Sequence, residues 1–253
     1  MEDPEQLAAL ISNFSQIEGK KLLVHGGGRR ATKIAAQLGI ESQMVGGRRI
    51  TDKEMLSVVT MVYGGLVNKN LVAQLQAQGV NALGLTGADM DVIRSHRRPL
   101  KKMKMDDGTE QMVDFGFVGD VDRADGDRLA QLINSGVVPV VAPLTHDGQG
   151  NILNTNADTM AGTVAKALAG HFDVTLIFSF EKKGVLSNPD NDNSVIPAIN
   201  RQSYEKYVAD GVISGGMMPK IENALEAVEA GVKRVIITLA TQIDGQHGTV
   251  ISA

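Results

Sequence analysis

The sequence predicts an α/β protein: a three-layer αβα sandwich around a mostly parallel β-sheet. Two observations predict this class. Strand-like and helix-like segments alternate along nearly the whole chain, and the strand-like runs at 137–144 (VVPVVAPL) and 174–180 (VTLIFSF) are largely apolar. Near-continuous apolar strands are typical of parallel sheets that helices cover on both faces. A chain of 253 residues has room for one large domain or two smaller lobes.

The individual elements follow from the spacing of apolar residues along the chain. The segments with helical periodicity are 3–16, 29–38, 51–78, 128–136, 156–170 and 219–230. The short apolar runs that predict strands are 21–25, 81–85, 137–144, 174–180 and 234–240. Glycines end two of the helices, at Gly39 and Gly136, where a left-handed residue commonly terminates a helix. Thr51 or Asp52 can serve as the N-cap of the long third helix.

One segment interrupts the alternation, at residues 94–121. It is polar and basic, and it contains Asp106-Asp107-Gly108, a turn signal between two strands. We expect a β-hairpin that projects outside the main sheet, with its basic residues on a solvated face rather than in an anion site. The polar run at 188–194 (NPDNDNS) predicts a loop rich in turns.

Composition excludes several classes of protein. A net charge of −4 and a pI near 5.7 argue against a nucleic-acid partner. The absence of cysteine excludes disulfides and thiolate zinc sites, and the five histidines show no metal-ligand spacing. No uninterrupted apolar run reaches the length of a membrane span, and the acidic opening MEDPEQLAAL is unlike a signal peptide. We therefore expect a cytoplasmic protein with no metal site and no membrane partner.

The strongest local signal for a binding site is KLLVHGGGRR, in which Gly26, Gly27 and Gly28 join a strand to a helix. Backbone N–H groups and the dipole at the start of a helix favour an anion there, and glycines leave the backbone accessible. A tight turn that binds nothing explains the same residues equally well.

Three further groups of polar residues lie near predicted helix starts. Asn154 and Asp158 belong to NTNAD, where an asparagine is either an N-cap or a group that orients a ligand. Lys220 follows Pro219, and its charge opposes the helix dipole there, so it is either a phosphate-binding residue or an exposed lysine without a role. Arg49, in GGRRITD, offers a planar fork suited to a carboxylate.

Taken together, the motifs LLVHGGG, GGRRIT, NKN (68–70), NTNAD, GMMPK and GTVI (248–251) resemble the acetylglutamate kinases of the amino-acid kinase family. The resemblance extends from about residue 5 to Ser252. It implies the amino-acid kinase fold and a homodimeric enzyme of arginine biosynthesis. The implied reaction is the ATP-dependent phosphorylation of the γ-carboxylate of N-acetyl-L-glutamate, with Mg²⁺ accompanying ATP.

The resemblance also implies roles for individual residues. Residues 1–170 would bind the acylglutamate and form the dimer, and residues 171–253 would bind the nucleotide. Lys220 and Asp158 would be catalytic, Lys220 by stabilising the transferred phosphoryl group and Asp158 by organising active-site lysines. Residues implied to bind the substrate or the nucleotide are Gly27 and Gly28 beside the reacting groups, Arg49 on the α-carboxylate, Asn154 at the N-acyl amide, and Gly184 with Lys220 at the nucleotide.

The sequence departs from the family pattern in two places. The family's first strand, with its Lys-x-Gly-Gly, is not found, so we expect weak activity unless Lys182 or Lys183 supplies the second positive charge, and we expect Met1 to be an internal methionine of a longer protein. At 178–186 (FSFEKKGVL), Phe180 and Glu181 stand where many relatives have an aspartate. This departure and the extended hairpin resemble the branch that uses N-succinyl-L-glutamate.

Other functions remain open from the sequence. A sister kinase acting on carbamate, uridylate or aspartate would share the fold and the glycine loop. A catalytically weakened binding or regulatory member of the same fold is a further alternative, which the missing match to the family's second lysine favours.

Overall fold

The computed structural model describes residues 3–46, 48–104, 108–214 and 217–252. The chain divides into two compact units. Lys20–Met160 form one unit, and Met1–Gly19 together with Ala161–Ala253 form the other. The predicted lobes were 1–170 and 171–253, whereas by contacts the opening helix and residues 161–170 group with the C-terminal part of the chain.

The opening helix α1 (Pro4–Gln16) matches its predicted range closely. Asp3 caps it by accepting hydrogen bonds from the backbone N–H groups of Glu5 and Gln6. The Asn13 side-chain amide donates to the Thr241 carbonyl at 2.7 Å. This bond ties the helix to the C-terminal part of its unit, a contact between residues too distant in sequence for local patterns to reveal.

The unit Lys20–Met160 contains a parallel three-stranded sheet and a mixed four-stranded sheet. Its strands are β1 (Leu23–Val24), β2 (Met44–Val45), β3 (Arg48–Arg49), β4 (Ala82–Leu85), β5 (Ile93–Arg97), β6 (Lys101–Lys104), β7 (Glu110–Val113), β8 (Gly119–Ala124), β9 (Val138–Val141), β10 (Leu144–His146) and β11 (Ile152–Asn154). The parallel sheet has the order β1-β9-β4, and the mixed sheet has the order β11-β10-β5-β8. The parallel pairing of apolar strands confirms the α/β class.

The helices of this unit cover those sheets. They are α2 (Gly28–Gln37), α3 (Lys53–Val59), α4 (Asn68–Ala77), α5 (Gly126–Asn134) and the start of α6 (Ala157–Leu168). The helical stretch predicted from Thr51 runs without a break over Lys53–Ala77, and Asp52 is its N-cap. Its middle, Thr60–Val67, is a π-helix, which the apolar pattern did not predict.

By length and composition, this 25-residue helix is apolar enough to cross a membrane. This helix departs from our expectation that no segment is both long enough and apolar enough to span a membrane. Buried residues of the helix, among them Met55, Val58 and Val59, pack in a core with Ala31 and Ala35 of α2. The core helix of a globular unit passes the same test, so this single helix is weak evidence for a membrane span.

The prediction of a hairpin outside the main sheet is only partly right. β6 and β7 do pair as a separate antiparallel ribbon, from Lys101 opposite Val113 to Lys104 opposite Glu110. The predicted turn at Asp106-Asp107 lies outside the described residues. The flanking strands β5 and β8 instead belong to the four-stranded sheet. The abundance of arginine and aspartate in these strands hides the alternation that buries Ile93 and Ser95.

The other unit is built on a four-stranded sheet of order β12-β14-β15-β13. Its elements beyond α1 and the rest of α6 are β12 (Thr175–Phe180), β13 (Ala198–Ile199), α7 (Arg201–Ala209), α8 (Met217–Glu229), β14 (Arg234–Leu239) and β15 (Thr249–Ile251). Its core packs α8 against the sheet, with Ile221 and Leu225 against Val235 and Ile237. The sequence did not predict α7, because Tyr204 is its one buried residue and no apolar periodicity marks it.

Candidate functional site

The glycine loop begins directly after β1. His25 and Gly26 lead to Gly27, the N-cap of α2, and the helix starts at Gly28. A Cβ placed on Gly27 would lie 2.8 Å from Cδ1 and 3.0 Å from Cε1 of the Tyr63 ring. The space beside Gly27 is therefore already occupied by the protein. Close packing against Tyr63, and not only access for a ligand, explains why this position is glycine.

Tyr63 lies on the π-helix and was not singled out from the sequence. The residue is 5% exposed. Burial raises the pKa of Tyr63, and the Arg49 charge and a hydrogen bond between the two side chains oppose that rise. A Cβ on Gly28 would lie 3.9 Å from both the Tyr63 hydroxyl and Arg49 Nη2. The loop, the tyrosine and the arginine thus meet at Gly28.

Arg49 is held in place by several neighbours. Its Nη2 donates to the Gly28 carbonyl at 3.1 Å and to Thr32 Oγ1 at 2.8 Å, and its Nη1 donates to Ser42 Oγ at 2.8 Å. These bonds orient the guanidinium beside the start of α2. The structure therefore brings together Arg49 and Gly28, two residues that the sequence predicted to bind one substrate.

The two asparagines of NTNAD have different roles in the fold. Asn156 Oδ1 accepts a hydrogen bond from the Thr159 N–H at 2.9 Å, as a capping residue does. Asn154 does not cap the helix. It ends β11, is 9% exposed, and its Nδ2 donates to Thr51 Oγ1 at 3.0 Å. Since Thr51 is fully buried, it fixes the orientation of the Asn154 amide.

Asp158 lies in the first turn of α6. This turn lies close to the glycine loop, because a Cβ on Gly26 would be 4.0 Å from the Ala157 Cβ. The start of α2, the guanidinium of Arg49 and the start of α6 are therefore neighbours within the unit Lys20–Met160.

Two of the predicted site residues, Gly184 and Lys220, belong to the other unit. Lys220 is half-buried in the first turn of α8, and its Nζ lies 3.8 Å from the centroid of the Phe180 ring. This is a cation–π contact. It gives the Phe180 ring a partner in the first turn of α8.

Gly184 lines a cavity of about 170 Å³ with largely apolar walls that include Val185, Leu186 and Met217. A Cβ on Gly184 would lie 2.8 Å from Thr249 Oγ1, and the same Oγ1 accepts a hydrogen bond from the Val185 N–H at 2.8 Å. Packing thus requires glycine at this position.

Lys182, at the same cavity, forms an exposed ion pair with Asp192 at 2.7 Å. The hydrogen bond and the charge of Lys182 lower the pKa of Asp192. Within the described ranges, no group of three or more His, Asp or Glu side chains could hold a metal ion.

Comparison with known proteins supplies the context for this geometry. The model of the amino acid kinase family matches residues 1–239. A protein of Bacteroides thetaiotaomicron named acetylglutamate kinase is 65% identical over 249 residues, covering 98% of this chain and 93% of its own length. A Cytophaga hutchinsonii protein of the same name is 50% identical over 96% of this chain and 89% of its own length.

Solved structures share the fold. A Streptococcus mutans protein, smu.665, superposes with a TM-score of 0.77 at 29% identity, covering 100% of this chain and 94% of its own. A carbamate kinase of Giardia superposes with a TM-score of 0.66 at 17% identity, covering 98% of this chain and 89% of its own. The second likeness concerns the fold alone.

Proposed function

This chain belongs to the amino acid kinase family, and we propose that it phosphorylates the γ-carboxylate of N-acetyl-L-glutamate with ATP, a step of arginine biosynthesis. The observation that carries the proposal is similarity over nearly the full chain to relatives named acetylglutamate kinase, at 61–65% identity in five of them. The arrangement of Arg49 beside the glycine loop is consistent with binding a dicarboxylic substrate.

In the proposed reaction, a γ-carboxylate oxygen attacks the γ-phosphorus of ATP. The bond from phosphorus to the bridging oxygen breaks, ADP leaves, and an acyl phosphate forms. Little covalent chemistry falls to the protein, which positions the reactants and neutralises spreading charge. Mg²⁺ enters with the nucleotide as part of the co-substrate. The phosphates, rather than a dedicated protein site, would hold the ion.

We assign acceptor binding to the unit Lys20–Met160. Arg49 would bind the α-carboxylate with its planar fork, since three hydrogen bonds already orient the guanidinium. Asn154 would bind the N-acyl amide with the polar capacity that Thr51 leaves free. Gly27 and Gly28 would offer backbone N–H groups, for which the structure finds no acceptor among the residues it describes. Asp158, in the first turn of α6, would organise the active-site lysines.

We assign nucleotide binding to the unit that contains residues 161–253. The apolar cavity beside Gly184 suits the flat base of a nucleotide, and a base would bury apolar surface there. Lys220 would stabilise negative charge on the phosphoryl group during transfer. The Phe180 ring supports this role because it orders the ammonium without cancelling its charge.

A trapping assay tests the proposed activity. The protein is incubated with ATP, Mg²⁺ and hydroxylamine, which converts an acyl phosphate into a coloured hydroxamate. N-acetyl-L-glutamate, N-succinyl-L-glutamate, N-acetyl-L-aspartate and carbamate are compared at matched concentrations. We expect the highest kcat/KM with N-acetyl-L-glutamate, and ATP consumption with none of the acceptors would support a binding protein instead. The succinyl alternative is not favoured by the names of the relatives, and a higher kcat/KM with that acceptor would overturn the present assignment.

The proposal includes a homodimer in the cytoplasm, as the resemblance implies. Sedimentation equilibrium of the purified protein gives its mass directly, and a mass near twice 26.9 kDa is expected. A mass near six times that value would contradict the dimer.

A further inference from the structure

Two buried polar side chains behind the glycine loop have no role in the proposed reaction. His25 is 9% exposed and Asn68 is 1% exposed. His25 follows β1 directly, and its backbone N–H donates to the Val141 carbonyl at 3.2 Å, which extends the pairing of β1 with β9. Asn68 is the first residue of α4, in the NKN motif.

The hydrogen bonds of these side chains form a chain that ends on the glycine loop. Asn68 Nδ2 donates to the Val140 carbonyl at 2.8 Å and to His25 Nε2 at 3.1 Å. His25 Nδ1 lies 2.7 Å from the Gly26 carbonyl oxygen. Since Nε2 accepts a bond and a carbonyl cannot donate one, the proton must be on Nδ1, which donates to Gly26. Burial lowers the pKa of His25, consistent with a neutral ring.

Asn68 makes these bonds at a cost to its own oxygen. Its Oδ1 is buried and has no hydrogen-bond partner among the described residues. Rotating the amide would not help, because Oδ1 would then face the Val140 carbonyl oxygen, and a proton moved to His25 Nε2 to serve Oδ1 would leave Nδ1 without one against the Gly26 oxygen. A residue that only filled space here would avoid this penalty if it were apolar. The polar chain therefore indicates a need to hold the His25 ring in one tautomer and one orientation.

The bond to Gly26 has a consequence for the next residue. A trans peptide directs its C=O and its N–H to opposite sides. Because Nδ1 of His25 holds the Gly26 oxygen on the side of the ring, the Gly27 N–H points away from it. We propose that His25 is a positioning residue that fixes the direction of the Gly27 N–H, so that this donor is preorganised for an anionic oxygen of the reacting groups. This inference rests on the proposed function, in which Gly27 contacts those groups.

The test compares two substitutions at His25 with a matched control. His25→Phe keeps a ring but removes the donor to Gly26, and His25→Gln retains an N–H donor. Thr238→Val is the control, because it removes a hydrogen bond from a fully buried side chain, to the Gln242 carbonyl, in the other unit. For each protein we measure kcat and both KM values with ATP and N-acetyl-L-glutamate, the melting temperature, and the Gly27 amide resonance by NMR.

We expect His25→Phe to lower kcat by about tenfold or more, since misdirecting a backbone donor removes stabilisation of developing charge. His25→Gln should recover most of that loss, and Thr238→Val should keep the original kcat. The Gly27 amide resonance should shift in His25→Phe and not in Thr238→Val. A kcat for His25→Phe equal to that of the control, or an unshifted Gly27 resonance, would overturn the proposal.

A replacement variant and a readout that is independent of activity keep the test decisive. If His25→Phe does not fold, Asn68→Leu replaces it, because that variant leaves His25 in place and removes the donor to its Nε2. Unchanged kcat and an unchanged Gly27 resonance in Asn68→Leu would then overturn the proposal. If the unsubstituted protein forms no acyl phosphate, the proposed function fails. In that case the Gly27 resonance alone decides whether His25 sets the direction of the peptide.

Discussion

The unit Lys20–Met160 holds its candidate binding groups by hydrogen bonds, whereas the other unit holds Lys220 against an aromatic ring. Arg49 has three oxygen partners within its unit, and the Asn154 amide is oriented by buried Thr51. The Lys220 Nζ instead lies 3.8 Å from the Phe180 ring centroid. Hydrogen bonds fix direction, while a ring face tolerates small movements of a cation. With the acceptor assigned to the first unit and the nucleotide to the second, substitutions in the first unit should affect acceptor binding, and those in the second should affect the transfer step.

The largest effect is expected for Lys220→Ala. Its positive charge is needed most when charge develops on the transferred phosphoryl group, so kcat should fall by about 10²- to 10³-fold. Steady-state kinetics with both substrates measures this. Lys233→Ala is the control, because Lys233 forms an exposed ion pair with Asp173. An unchanged kcat in Lys220→Ala would reduce Lys220 to a surface lysine.

The next effect is expected for Arg49→Ala, and it should appear in KM. Loss of a charge-assisted bidentate contact costs about 2–3 kcal/mol, which raises KM for N-acetyl-L-glutamate by about 30- to 150-fold. The KM for ATP should stay near its original value. Arg49→Lys keeps the charge without the planar fork and should recover only part of the loss. Equal changes in both KM values would show that Arg49 does not serve the acceptor alone.

A third prediction concerns the packing of the glycine loop. Gly27→Ala would place a methyl group 2.8 Å from the Tyr63 ring, and this overpacking should lower stability by about 1–3 kcal/mol. Tyr63→Ala in the same chain should relieve the clash, so the double variant should lose less stability than the two single losses added together. Urea unfolding measures the cycle. Gly162→Ala is the control, because a Cβ there meets nothing within 4 Å beyond its chain neighbours and the backbone of its own helix. Simple additivity would show that Tyr63 does not limit the size of residue 27.

The smallest effect is expected for Phe180→Leu. Removing the ring face should cost about 0.5–2 kcal/mol of positioning for the Lys220 ammonium, so kcat should fall by about 2- to 30-fold. Phe180→Tyr keeps the ring and should behave like the original protein. If leucine and phenylalanine give the same kcat, the cation–π contact has no part in the reaction.

The alternation of apolar runs was sufficient to predict most of the helices and the central strands, because those elements carry continuous or regularly spaced apolar residues. It failed where pairing or packing is set by distant residues. β10 and β11 are only three residues each, and Thr145 and Thr155, in and just after them, satisfy one another through a buried hydrogen bond. A prediction that assigns polar residues to the surface does not find such strands.

Prediction from the sequence was limited in the same way at the candidate site. Arg49, Asn154 and the glycines were predicted from motifs, and the structure adds what holds them. Tyr63 lies 36 positions beyond Gly27 in sequence, and no local rule connects a π-helix with a glycine loop. The tautomer of His25 likewise depends on Asn68 and the Val140 carbonyl, which only the fold brings together.

The central claim is a division of labour, in which the unit Lys20–Met160 binds the acylglutamate and the unit containing residues 161–253 binds the nucleotide. Backbone amide NMR of the intact protein tests it most directly, by adding N-acetyl-L-glutamate and a non-hydrolysable ATP analogue with Mg²⁺ in separate titrations. N-acetyl-L-glutamate should shift the amides of Gly27, Gly28 and Arg49, and the ATP analogue should shift those of Gly184 and Val185. The reverse pattern, with the nucleotide shifting Arg49 and the amino acid shifting Gly184, would contradict the account.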